Sequence, residues 1–374
     1  MEGKIITISL CIIVRNEENT IGHCLDSVKG IPDEIIIVDT GSTDRTKEIV
    51  EKYTDRIFDF TWIDDFAAAR NFAFGQATMD YILWLDADDI LATPDREKLF
   101  VLKKNLDPLV DAVSMPYHYA FDQFGKVSFS FRRNRLVKRD KNFRWIGAVH
   151  EYLEVSGHVL SLDICVTHKR IEGQNSDRNL KIFERRKGKG EAFSPRDLYY
   201  YANELFDHQL YSRASEVYQE FLQTGQGWIE DEISACGKLA DCFQKLGEKE
   251  RQLEYIYKSF EYASPRAEFC CRLGFYFLNA NKFEQGVFWY KLATQLEKPV
   301  DSLGFMTEAC WTWLPHLQLC VCYDRLGKHE LAYEHNEIAR KYCPENTQVL
   351  YNKNYLEGVL GIESPKRKAI IQEK

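Results

Sequence analysis

Apolar residues run along this chain in two rhythms. Ile5 to Val14 (IITISLCIIV) is almost unbroken, as in a strand covered on both faces of a mainly parallel sheet. Asn16 to Val28 then places Ile21, Cys24, Leu25 and Val28 at helical spacing. Glu34 to Asp39 (EIIIVD) is a second short buried strand. The loop TGSTDRT follows it, and Ser42, Thr43 or Asp44 is suited to cap the next helix, TKEIVEKY. The pattern continues with a strand at Ile57 to Phe60, a helix at Asp65 to Gln76, a strand at Tyr81 to Leu85 and a helix at Pro94 to Leu106. Two further strands, Ala112 to Tyr119 and Val127 to Phe131, flank a turn at Gln123 to Gly125. Strands separated by helical stretches predict right-handed βαβ units in an open α/β sheet.

The rhythm changes in the second half. Small residues at Ala202, Ala240, Gly274 and Cys320 are each followed three positions later by Leu205, Phe243, Phe277 and Tyr323. Twelve positions on stand Ala214, Gln252, Gly286 and Ala332, of which Gln252 breaks the small-residue rule. A recurring offset of this kind predicts paired antiparallel helices of tetratricopeptide type. The expected organisation is an α/β domain over residues 1–170, a charged linker with a helix near Asn179 to Arg186 over 171–195, helical repeats over 196–355 and a tail over 356–374. Aromatic residues among the repeats, such as Tyr199, Tyr201, Tyr255 and Trp289, are expected to be mostly core. The remainder would line a groove for an extended peptide or a dimer contact.

With 374 residues, 45% of them hydrophobic, the chain has material for more than one core. Its net charge of −8 argues against a general nucleic-acid or anionic-membrane binder. No stretch approaches the ~20 apolar residues of a membrane span, and a soluble cytoplasmic protein is expected. Eleven cysteines, an odd number without a CxxC pair, suit buried thiols in a reducing compartment.

Chemistry concentrates where the strands end. Ligands of open α/β sheets bind beyond the carboxyl ends of the strands, and there the chain carries RNEEN, DTGSTD and DADD. In YILWLDADDI an apolar strand runs into Asp86, Asp88 and Asp89. Crowded carboxylates repel one another unless a cation neutralises them, and Mg²⁺ or Mn²⁺ carrying phosphates matches such a ligand set. A solvated turn is the alternative reading.

SLCIIVRNEENTIGHCLDSV, EIIIVDTGSTDRT, DDFAAARNFAF and YILWLDADD, in this order, resemble the N-terminal half of family 2 glycosyltransferases of the GT-A fold. The resemblance implies a Rossmann-like open mixed sheet, a nucleotide-sugar donor and a divalent metal. It places the nucleoside against Ile13, Val14, Asn16, Glu17 and Asp39. Arg70 would face the diphosphate or the carboxylates, with a salt bridge to Asp65 or Glu17 as the alternative. Asp86 would contact ribose or metal beside Ala87, and Asp88 would bind metal. The segment GAVHE resembles the HE-containing segment of family members that act on lipopolysaccharide cores or glycosylate bacteriocin peptides, which makes His150 a further metal ligand. His150, Glu151 and Asp122 are the candidates for catalytic proton transfer. If that segment is a regular strand, His150 and Glu151 point to opposite faces. Arg132, Arg133 and Arg135 form a basic cluster that would meet pyrophosphate or line a charged hairpin edge.

The implied reaction is inverting displacement of UDP from a UDP-hexose, with UDP-glucose as the first candidate. A catalytic domain followed by tetratricopeptide repeats resembles the enzymes that glycosylate cysteine or serine of bacteriocin precursors. The acceptor is then a peptide presented by the repeats. A saccharide acceptor, and a non-catalytic peptide-binding scaffold, are the alternatives.

Overall fold

The computed structural model describes residues 5–121, 127–169, 177–299 and 306–362. The chain forms two compact units, Met1–Glu191 and Ala192–Lys374. Among the described residues no helix is long and apolar enough to cross a membrane.

The first unit is built on β1 (Ile8–Val14), α1 (Ile21–Ser27), β2 (Glu34–Asp39), α2 (Thr46–Val50), β3 (Ile57–Asp59), α3 (Phe66–Gly75), β4 (Tyr81–Trp84), β5 (Asp89–Ile90) and α4 (Thr93–Asn105). It continues with β6 (Ala112–Phe121), β7 (Val127–Lys138), β8 (Arg144–Ile146), β9 (Tyr152–Glu154), β10 (Val159–Ser161), β11 (Val166–His168) and α5 (Arg178–Gly188). The main sheet is mixed and open, in the order β3-β2-β1-β4-β7-β6-β11-β5, with β10 also paired to β6. Strands β1 to β4 are mutually parallel, and β7 runs antiparallel between β4 and β6.

The unbroken apolar run of β1 reflects cover on both sides. Ile8, Leu10, Ile12 and Val14 enter one core with α1 and α4, while Cys11 enters the other with Ala73 of α3. α1 begins at Ile21, later than the helical spacing predicts, because Asn16 sits in the left-handed region (φ 56°) and the segment before the helix is tied to the next loop. The HE segment departs from expectation as well. β8 and β9 pair as a separate two-stranded sheet, and residues 147–151 between them are irregular, with His150 at φ 52°. The expected strand alternation of His150 and Glu151 is therefore absent.

The second unit is helical: α6 (Pro195–Asp207), α7 (Tyr211–Thr224), α8 (Ile229–Leu246), α9 (Lys249–Lys258), α10 (Ala267–Asn279), α11 (Phe283–Gln295), α12 (Glu308–Trp311), α13 (Leu314–Arg325), α14 (His329–Tyr342) and α15 (Thr347–Leu360). It is a tetratricopeptide-like array of helical pairs. Ser194 and Asp197 close a capping box at its first helix. The turns LGEK and LGKH carry Gly247 and Gly327 at positive φ after α8 and α13. α15 runs through residues 356–360, where a tail was expected. Tyr199, Tyr201, Tyr255 and Tyr290 are core, whereas Tyr257 is exposed.

Candidate active site

Loops after β1 and β2 are stitched into one platform. Asn16 N donates to Ser42 Oγ at 3.0 Å and Thr43 N to Asn16 Oδ1 at 2.8 Å. Glu17 N donates to Thr46 Oγ1 at 2.7 Å and Glu18 N to Asp44 Oδ2 at 3.1 Å. Short polar side chains serve here because they complete turns with backbone groups. Asp39, 1% exposed, accepts from Gly41 N and Ser42 N through Oδ1, at 2.7 and 2.8 Å. Its Oδ2 is buried without a hydrogen-bond partner. Val14 is buried at the same strand end, Ile13 is half-buried, and Ala87 is buried across β4. Burial raises the pKa of Glu17, and Asp88 and Asp86 add to this against the hydrogen bond from Thr20.

α3 supplies the first cation. Asp65 caps it by accepting from Ala68 N at 2.8 Å, and Arg70 follows on the buried face. Arg70 Nη2 lies 2.6 Å from Asp86 Oδ1 and Nε 2.6 Å from Glu151 Oε1, so its partners are neither Asp65 nor Glu17. The guanidinium is held over Trp84 and Trp145, 5.1 and 4.7 Å from their centroids. Asn71 fixes the partner segment by exchanging two hydrogen bonds of 2.9 Å with the Trp145 backbone, and Phe66 N donates to Ala148 O at 2.8 Å. Burial alone would raise the pKa of Asp86, but Arg70 and then Arg135 hold it below the usual carboxylate range.

Of the expected basic cluster, Arg135 is fully buried and pairs with the equally buried Asp89 at 2.9 Å. Asp89 Oδ2 also accepts from Asp86 N at 2.9 Å. Burial raises Asp89 to a pKa of about 6 against the pull of Arg135, with Asp86 adding to the rise. Arg132 donates to Ser114 O and Leu162 O, at 2.6 and 2.8 Å.

The antiparallel pairing of β11 with β5 sets His168 opposite Asp89. His168 Nδ1 stands 3.4 Å from Asp88 Oδ1 and 4.0 Å from Asp89 Oδ1, its ring stacked on Tyr119 at 5.0 Å. Burial disfavours the imidazolium, but Asp88 and Asp89 outweigh it and raise the pKa. Donor atoms of Asp88, Asp89 and His168 lie within 4.8 Å of one another. His168 Nδ1 and Asp89 Oδ1 are buried without hydrogen-bond partners. Two carboxylates and an imidazole with unused donor atoms fit a divalent cation such as Mg²⁺ or Mn²⁺.

This group differs from the expected ligand set. Asp88 is common to both, but Asp86 is turned to Arg70, and the histidine beside Asp88 is His168 rather than His150. Asp122 lies outside the described residues. The sequence reading missed His168, gave Asp89 no ligand role of its own, and did not pair Arg135 with it. The signal available for His168 was its place in a β-patterned triplet, VTH, ending in a potential ligand.

Residues 9–153 match the family described as Glycosyl transferase family 2. The chain is 39% identical over 149 residues to a TPR repeat-containing protein of Synechococcus elongatus, covering 40% of this chain and 36% of that one. It is 33% identical over 187 residues to the SPbeta prophage-derived glycosyltransferase SunS of Bacillus subtilis, covering 48% and 43%. It is 30% identical over 161 residues to the lipopolysaccharide core biosynthesis glycosyltransferase LpsC of Rhizobium meliloti, covering 41% and 59%. The chain thus spans less than two thirds of the length of each of these relatives.

Proposed function

We propose, from the match of residues 9–153 to Glycosyl transferase family 2 and the tetratricopeptide-like array that follows it, a metal-dependent inverting hexosyltransferase that uses a UDP-sugar, with UDP-glucose first, and a peptide acceptor. The observation that carries the reading is the convergence of Asp88, Asp89 and His168 beyond the carboxyl end of β4, in the same domain as the unpaired Asp39 Oδ2.

In this reading Asp39 takes the base or ribose of the nucleotide, beside the Asn16 and Glu17 loop. Asp88, Asp89 and His168 hold the cation, which when bound supplies Lewis-acid stabilisation of the departing diphosphate. Arg70 keeps Asp86 ionised and orients it, as well as Glu151, from a rigid aromatic seat. Glu151 Oε1 is already engaged by Arg70, which suits an acceptor that needs little help from a base. A cysteine thiol, with a reference pKa near ~8.5, is such an acceptor, and a serine hydroxyl demands more. Asp122 and His150 remain the other candidates for proton transfer. We assign the helical array to presentation of the acceptor peptide.

Similarity to LpsC supports a second reading, in which the acceptor is a saccharide. The experiment is a panel of UDP- and GDP-hexoses with Mg²⁺ or Mn²⁺, followed by release of the nucleoside diphosphate and by the mass of cysteine- or serine-containing peptides. A hexose mass added to a cysteine peptide supports the reading. Transfer to oligosaccharides with none to peptides favours the second. Absence of donor turnover with every sugar and metal overturns both.

A further inference from the structure

Three guanidinium groups surround the Trp84 ring, and they differ in what they pair with. Arg135 and Arg70, 3.9 and 5.1 Å from its centroid, both have carboxylate partners: Asp89 for the first, Asp86 and Glu151 for the second. Arg133 lies 5.8 Å from the Trp84 ring, 5.8 Å from Tyr117 and 5.2 Å from Phe131. Its Nε is buried without a hydrogen-bond partner, and no carboxylate among the described residues forms an ion pair with it. Aromatic faces hold a guanidinium from above and below but leave its in-plane N–H fork unused.

The place of this spare cation is set by the sheet. β7 runs antiparallel to β4 with Leu136 opposite Leu83, and Arg133 follows three residues further along β7, close enough to Asp86 and Glu151 to feel their charge. Burial depresses the pKa of Arg133 and the like charge of Arg135 adds to this, with Asp86 and Glu151 offsetting only part. Asp86 and Glu151, the carboxylates whose charge reaches Arg133, are engaged by Arg70, so an anion brought from outside would complete the fork. A phosphate matches it in charge and in bidentate geometry.

We propose that Arg133 is the receptor for the terminal phosphate of the donor's nucleoside diphosphate, donating its unused N–H groups to the non-bridging oxygens as the leaving group gathers charge. The inference rests on the donor reading above and names a residue that it does not use. It also separates Arg133 from its two neighbours, since Arg132 serves backbone carbonyls and Arg135 serves Asp89.

The test titrates UDP, UMP and uridine, each with Mg²⁺ at fixed ionic strength, into the full chain by calorimetry. Wild type is compared with Arg133→Gln and Arg133→Lys. The expected result is a loss of UDP affinity of about tenfold or more in Arg133→Gln, with UMP and uridine little changed. Arg133→Lys is expected to fall between, because it keeps charge without the fork. Inorganic pyrophosphate should compete with UDP on wild type and more weakly on Arg133→Gln. The ligand-free Arg133→Gln protein should melt at or above wild type, since an uncompensated half-buried cation has been removed. Undiminished preference for UDP over UMP in Arg133→Gln, while wild type binds UDP, overturns the assignment and spares the donor reading. Equal loss of all three ligands with a lowered melting temperature overturns it in favour of a structural role. Wild type that binds no nucleoside diphosphate overturns the donor reading and this inference together.

Discussion

Glu151 Oε1 and Arg70 Nε, 81 residues apart in the chain, meet at 2.6 Å, with side chains only 11% and 10% exposed. The same guanidinium holds Asp86, so among the described residues Arg70 is the cation hydrogen-bonded between two carboxylates that would otherwise repel each other. Arg70→Ala should therefore destabilise the first unit by up to about 3–5 kcal/mol, because it strands the nearly buried Glu151 and the partly buried Asp86. Arg70→Lys should recover part of the stability but not the paired geometry. Urea unfolding of both variants checks this, and wild-type stability in Arg70→Ala would refute it.

Asp88 and Asp89 of DADD are expected to answer differently to removal. Among the described residues Asp88 forms an ion-pair contact only with His168, so Asp88→Ala should leave the ligand-free melting temperature unchanged or raised, by relief of repulsion. Asp89→Ala strands the fully buried Arg135 and should cost about 3–5 kcal/mol. Thermal melts without added metal separate the two.

His168→Ala should weaken stabilisation by Mn²⁺ while leaving the ligand-free fold intact, since its neighbours are Tyr119 and two carboxylates. One lost ligand typically lowers metal affinity at least tenfold, with second-shell partners counting for about 10–100-fold. Thermal shift against Mn²⁺ concentration reads this directly. An unchanged shift in His168→Ala, beside a lost shift in His150→Ala, would return the ligand role to the residue expected from sequence.

What the sequence disclosed and what it hid follow from the range of the interactions. β1, β2 and β4 are legible because strands covered on both faces must be apolar throughout, and their polar ends mark the crevice. The pairing of Asp89 with Arg135 is not legible, because a buried ion pair and a solvated turn are written with the same letters. His168 is reached only through β5 and β11, of two and three residues, too short to leave a periodic signal and far apart in the chain. The HE segment misled because its alternation of residue types suggests a strand, whereas His150 takes a left-handed turn.

The small-residue rhythm of the second unit has a steric basis that a single substitution can test. A Cβ added at Gly274 would stand 2.6 Å from Tyr290 Cζ, so the ring of α11 fills the space left by the missing side chain of α10. Gly274→Ala removes a flexible residue from a helix interior, which by propensity alone favours the folded state by roughly 1 kcal/mol. Overpacking against a buried tyrosine costs about 1–3 kcal/mol, and the clash should win. Denaturant unfolding should show net destabilisation of the second unit, relieved by Tyr290→Leu in the double mutant.

The same unit should also weaken in acid through a histidine pair. His316 and His335 face each other at 2.9 Å between Nδ1 atoms, and Tyr323 stacks on His335 at 5.5 Å. Burial lowers the pKa of both rings, and for His335 the neighbouring His316 and Lys291 carry it down to about 4. The unfolded chain takes up protons below the ordinary histidine value of ~6.5, while the folded pair stays neutral. The stabilising contribution is therefore complete above that pH and drains away as pH falls from there towards the folded value. About 1–2 kcal/mol should be lost across this window, allowing for partial exposure of the pair. His335→Phe keeps the stacking and cannot protonate, so its stability should fall less steeply with acid than that of wild type. Urea midpoints measured from neutral to mildly acid pH compare the two slopes, and equal slopes would rule out the pair as the titrating element.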